Sequence, residues 1–286
     1  MPRPLAHDPL AALAARPAVA EAVDAARQAC SELRWHPALR RRTAEVRTEA
    51  CVRAAAASAE VDGVRLPLAQ VRAMVVPAQQ PAGSAPTTGT LPRPGGAVDP
   101  VDAVVRGALR ATLDSYDLAR TLTRSPAQVL ARLHTLAAAD LFGRDAPHGG
   151  PRDHDSLGRP RPEARSRVDA LVRLLAGGTE APGLLLAALA DAECTTTEAF
   201  VPGSGVLARA LARTVVVATG LDPHGVVVPE RHALADGPGR EAALVGYARG
   251  TPEGVEAWVL WWGRAVVAGA EHGRVVADEV MAGRLA

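Results

Sequence analysis

With 286 residues the chain can hold one large domain or two small ones, and a hydrophobic fraction of 48% is ample for a buried core. Its 32 basic residues are all arginine and face 31 acids, a net charge of +1 that gives no basic face for nucleic acid as a main partner. Three cysteines, Cys30, Cys51 and Cys194, form no Cys-x-x-Cys pair and no even-numbered disulfide framework, which fits a reducing, cytoplasmic setting.

His7 and Asp8 precede the first apolar stretch and Arg16-Pro17 interrupts it, so neither a signal nor a transit peptide is expected. Apolar residues recur at three-and-four spacing and alternate almost nowhere, which predicts a mostly α protein. Helices are expected over 18–33 and 38–60, the second stopped by Asp62-Gly63, then a shorter one over 64–76 entered at Pro67. From 77 to 100 the proline- and glycine-rich composition lacks the apolar surface to order itself and reads as a linker or mobile loop.

Helices resume over 101–120 and 126–141, the latter opened by Ser125 as N-cap with Pro126 behind it. A second irregular stretch, 143–162, carries Gly149-Gly150, Gly158 and four prolines. Further helices are expected over 163–176, 181–195 and 204–219, the last stopped by Gly220-Leu221-Asp222-Pro223, and then over 238–249 and 252–283. Trp258, Trp261 and Trp262 share one face of the final helix and predict core packing. The apolar runs 214–219 and 257–270 are too short, or broken by Arg264, to cross a membrane, so no membrane partner is expected.

The most informative stretch is 198–213, Glu-Ala-Phe-Val-Pro-Gly-Ser-Gly-Val-Leu-Ala-Arg-Ala-Leu-Ala-Arg. A Gly-x-Gly loop running straight into a helix gathers free backbone N–H groups and the positive end of the helix dipole at one point. The stretch resembles the motif of the Fic family, His-Pro-Phe-x-Asp/Glu-Gly-Asn-Gly-Arg-x-x-Arg. Phe200, Gly203, Gly205 and Arg209 match; Glu198 replaces the histidine, Ala199 the proline, Pro202 the acidic residue, Ser204 the asparagine and Val206 the first arginine. The surroundings add to the likeness. The helix over 183–195 is similar to the one preceding the family motif, Leu133-His134-Thr135-Leu136 resembles the family's Leu-His-x-x-Leu helix, and Ser58-Ala59-Glu60-Val61-Asp62-Gly63 resembles the inhibitory Ser/Thr-x-x-x-Glu-Gly/Asn segment, with aspartate for glutamate.

The resemblance implies a Fic-like helical domain at 101–235. An N-terminal helical region at 1–76, bearing the inhibitory-like segment, extends it at one end, and C-terminal helices at 236–286 extend it at the other. In active members, it further implies, the histidine is the general base toward a protein hydroxyl, the acidic residue holds magnesium, and the loop amides with the first arginine cradle ATP phosphates. Pro202 ligates no metal and Val206 pairs no phosphate. Glu198 stands in the catalytic position, but a carboxylate of pKa about 4.3 is a weak base unless burial raises it.

The amides of Gly203, Ser204 and Gly205, with Arg209, form either a residual phosphate cup or merely a tight helix start. No cofactor or metal follows from the residues themselves; ATP or another nucleotide would be held weakly. In the regulatory segment of Ser58, Asp62 and Gly63, the resemblance implies that Asp62 faces Arg209. Asp62 alternatively stands in solvent at a helix end. His134 reads as a packed core or rim histidine, Cys194 as a small buried hydrophobe, and Arg40-Arg41-Arg42 as a solvated face. His148, Asp153, His154 and Asp155 are of metal-ligand type, but they share no helical spacing; the 143–162 stretch coincides with the family's flap and reads as the contact for a protein partner. The sequence thus reads as a Fic-fold pseudoenzyme acting as a binding or regulatory module. One alternative is a Fic-like enzyme transferring AMP or another phosphate-containing group with altered residues; another is an unrelated helical interaction protein.

Overall fold

The computed structural model describes residues 8, 10–75, 99–141 and 157–285, and among them all regular structure is helical, with no strand. In chain order the helices are α1 (Ala11–Ala14), α2 (Pro17–Arg34), α3 (Ala38–Arg41), α4 (Thr43–Val61), α5 (Leu68–Ala73), α6 (Pro100–Leu118), α7 (Pro126–Ala138), α8 (Arg165–Arg173), α9 (Gly183–Thr196), α10 (Ser204–Ala218), α11 (Glu230–Ala235), α12 (Gly237–Ala248) and α13 (Pro252–Ala282). The expected linker at 77–100 lies outside the described residues except for Asp99 and Pro100.

Local chemistry sets most boundaries. Asp99, Asp236 and Thr251 cap α6, α12 and α13 by accepting from Val101 N–H at 2.8 Å, Gly239 N–H at 3.2 Å and Gly254 N–H at 3.1 Å. Proline opens α2, α6, α7 and α13, where its missing N–H costs nothing. Ser125 holds the N-cap position of α7, but its hydroxyl makes no cap bond. The helix expected over 38–60 is interrupted at Arg42, whose backbone leaves helical geometry (φ −127°, ψ 29°) while its guanidinium donates to the Val280 carbonyl and to Glu45. The short α11 falls in a stretch where no helix was expected.

The centre of the fold is α10. Every residue from 206 to 216 is buried, including Arg209 and Arg213, because α9, α6, α7 and α4 close around the helix. The long α13, about 46 Å at 1.5 Å per residue, packs against α2, α9, α11 and α12. Its indoles are buried as expected, and each N–H finds an acceptor: Trp258 donates to the Ala188 carbonyl at 2.7 Å, Trp261 to Asp236 at 3.0 Å and Trp262 to Asp191 at 3.0 Å. Gly269 lets the extended Val226–Val228 segment cross α13 closely, for a Cβ there would lie 2.8 Å from the backbone of Val228 and Pro229. A single buried cluster takes in Leu10, Leu109, Leu207 and Val280, drawing on the stretches 1–76, 101–235 and 236–286 alike. Among the described residues no helix is long and apolar enough to cross a membrane.

Candidate functional site

The loop between α9 and α10 begins with a helix stop. Glu198 N–H donates to the Thr195 carbonyl at 3.2 Å and Ala199 N–H to the Cys194 carbonyl at 3.2 Å, the paired bonds of a Schellman turn. That turn needs a left-handed residue at its corner, and Glu198 takes the role with φ +44°, alone among the described non-glycine residues. The end of α4 uses the same turn with the residue the geometry favours: Gly63, at φ +82°, donates to the Glu60 carbonyl at 3.0 Å and Val64 N–H to that of Ala59 at 2.9 Å. The backbone role of Glu198 directs its side chain outward, 70% exposed, where it meets Arg161 at 3.3 Å. Arg161 also donates its N–H to the Ala199 carbonyl at 2.8 Å, tying its own segment to the loop.

His134 and Phe200 hold the middle of the loop. The imidazole is fully buried, with its ring centroid 5.3 Å from that of Phe200. Nδ1 accepts from Gly158 N–H at 2.9 Å, which leaves Nε2–H to donate to the Pro202 carbonyl at 3.1 Å. Burial pulls the His134 pKa down, the Pro202 carbonyl pulling the other way. The expected core histidine is therefore also a clamp on the loop. Ser204 Oγ accepts from Phe200 N–H at 2.8 Å, closing the loop on itself, and Gly203 enters α10 at φ +93°.

The first turn of α10 faces the end of α4. Arg209 is 6% exposed; its Nη2 donates to Asp62 Oδ2 at 2.8 Å and to the Ser58 carbonyl at 2.9 Å, and its Nε to Ser58 Oγ at 2.8 Å. Ser58, Asp62 and Arg209, picked out in the sequence, thus form one cluster, in which the Asp62 side chain pairs with Arg209 while staying 33% exposed. The carboxylate also lies against the helix start, since a Cβ built on Gly205 would be 2.8 Å from Asp62 Oδ1. A carboxylate there is favoured by the first-turn N–H groups and the helix dipole. Val206, where the resemblance implies a phosphate-binding arginine, is 4% exposed and part of the core.

Sequence reasoning missed three participants. Arg161 lies in a stretch read as irregular. Arg213, one turn beyond Arg209, reaches Glu230 at 3.4 Å and the Gly225 carbonyl at 3.2 Å; a second arginine inside an all-buried helix was the available signal for a second buried acid. Arg240, on α12, approaches Asp191 at 3.9 Å. Cys194 is buried and desolvation pushes its thiol up, as expected of a small interior hydrophobe. Arg40 and Arg41 are exposed, whereas Arg42 turns inward to Val280. Of the 143–162 stretch only 157–162 is described, and His148, Asp153, His154 and Asp155 lie outside the described residues. Among those described, no group of three or more His, Cys, Asp or Glu side chains could hold a metal ion.

Two substitutions test this geometry. Glu198→Gly removes the left-handed penalty at the Schellman corner and should raise stability by about 0.5–1 kcal/mol in urea unfolding, while Glu198→Ala, which keeps the penalty, should not. Gly205→Ala drives a methyl into the Asp62 carboxylate and should destabilise by about 1–3 kcal/mol. In an Asp62→Ala background the same change should cost markedly less, and an undiminished cost would place the clash elsewhere.

No protein-family model matches the chain, and no curated protein matches it. Among solved structures, that of Fic-1 from C. elegans is similar, with a TM-score of 0.59 and 16% identity over 93% of this chain and 73% of that one. At that identity the likeness speaks for the fold: the chain has the all-helical Fic fold that its motif implied.

Proposed function

We propose that this Fic-fold chain does not transfer AMP and acts as a binding or regulatory module. The observation that carries the reading is Asp62, whose carboxylate pairs with Arg209 and lies beside Gly205 at the helix start that would receive a phosphate. Three further positions support it. Glu198 has its side chain in solvent against Arg161, Pro202 has no metal-ligating group, and Val206 is packed in the core. In this reading the Asp62–Arg209 contact is structural rather than a releasable block, because displacing Asp62 would restore neither a base nor a metal ligand. A protein partner at the 143–162 segment follows from the likeness of that stretch to a flap, and Arg161 links it to the loop through Ala199.

The test is incubation of the purified protein with labelled ATP, Mg²⁺ and cell lysate, beside calorimetric titration with ATP, ADP and AMP. No labelled protein should appear, in the parent or in Asp62→Ala. Nucleotide binding should be weak or absent, since each lost charge-assisted phosphate contact is worth about 1.5–3 kcal/mol, roughly ten- to hundredfold in affinity. Mg²⁺-dependent labelling that disappears in Glu198→Ala would replace this reading with that of an altered transferase.

A further inference from the structure

Beside Arg209, α9, α10, α11, α12 and α13 surround a small cavity. The space open to the centre of a water-sized sphere is about 20 Å³. That holds one water-sized occupant, which needs about 10–15 Å³ on this measure, and is too small for a phosphate or a nucleotide. Arg209, Arg213 and Arg240 line it with Asp191 and Glu230, so the wall holds three guanidinium groups against two carboxylates.

The carboxylates do not use up the donors around them. Asp191 already accepts from Thr195 Oγ1 at 3.1 Å and from Trp262 Nε1 at 3.0 Å. Its 3.9 Å approach to Arg240, and the 3.4 Å approach of Glu230 to Arg213, are longer than the 2.7–2.9 Å of a direct charge-assisted bond. Two buried donors on the wall, Arg213 Nε and Arg240 Nη2, make no hydrogen bond to the described residues, and the Arg213 side chain is 4% exposed. Leaving guanidinium N–H groups dry is costly, and one acceptor placed between them removes that cost on both sides. Arg209 is already paired with Asp62 at 2.8 Å, so the donors on the wall left without an acceptor are those of Arg213 and Arg240.

We propose that this cavity binds a single small monovalent anion of the chloride class, held by Arg213 Nε and Arg240 Nη2. Trp261 and Trp262 complete the wall. The rival occupant is a buried water, which would also accept from both arginines while donating to Glu230.

Melting of the intact chain at fixed ionic strength in sodium chloride, bromide or methanesulfonate distinguishes the two, with a crystal grown in bromide as the direct check. Chloride and bromide should raise the melting temperature saturably, by roughly 2–4 °C at about ten times the dissociation constant, and the bulky methanesulfonate should not. Arg240→Met should remove the saturable rise. Asp62→Asn, which leaves Arg209 unneutralised, should lower the half-saturating chloride concentration about tenfold. Bromide should give an anomalous peak between Arg213 and Arg240. Equal melting in all three salts, or a bromide crystal with only a light-atom peak in the cavity, would assign the site to water and overturn the proposal. If Arg240→Met does not fold, the bromide crystal of the parent decides alone.

Discussion

The middle of α10 holds two buried guanidinium groups, and the surrounding elements supply the acceptors that neutralise them. An unpaired interior charge is far more costly than any single packing contact can offset. Arg209 is met from α4 by Ser58 and Asp62, and Arg213 from α11 by Glu230 and from the preceding loop by the Gly225 carbonyl. The short α11 thus presents its acid to an arginine, and the end of α4 lies over the start of α10 because its terminal aspartate is needed there.

The same requirement bears on chemistry. A helix start with free N–H groups and an arginine one turn in is suited to a phosphate; here the arginine pairs with Asp62, whose carboxylate lies beside Gly205 at the helix start. The loop is held by the His134 imidazole between Gly158 and Pro202, by the Ser204 hydroxyl on Phe200 N–H, and by Glu198 as the corner of a helix stop.

Much of this could be read from residue order. Long helices such as α2, α6 and α13 announce themselves by period, and α10 by an apolar content that leaves no wet face. The Asp62–Arg209 contact was legible for two reasons, the family likeness and the electrostatic demand of an arginine in that helix. The same demand holds for Arg213 and points to a second buried acid, but α11, which carries Glu230, has six residues, too few for a periodic signal. Neither the interruption at Arg42 nor the left-handed Glu198 has a local signature. The first follows from a carbonyl of α13 more than two hundred residues away, and the second from a turn type that normally selects glycine. Arg161 was hidden in a proline-rich stretch where composition says little about individual partners.

The central claim is that Asp62 and Arg209 are energetically coupled across α4 and α10, and a double-mutant cycle in urea measures this directly. Asp62→Asn, Arg209→Gln and the double variant, with unfolding midpoints and slopes for each, give the coupling free of single-site effects. The account predicts a coupling of about 1–2 kcal/mol, the lower part of the range for a hydrogen bond to a charged group, because Asp62 is 33% exposed and partly screened. Additive effects, within about 0.5 kcal/mol, would contradict it and make Asp62 a bystander at the end of α4.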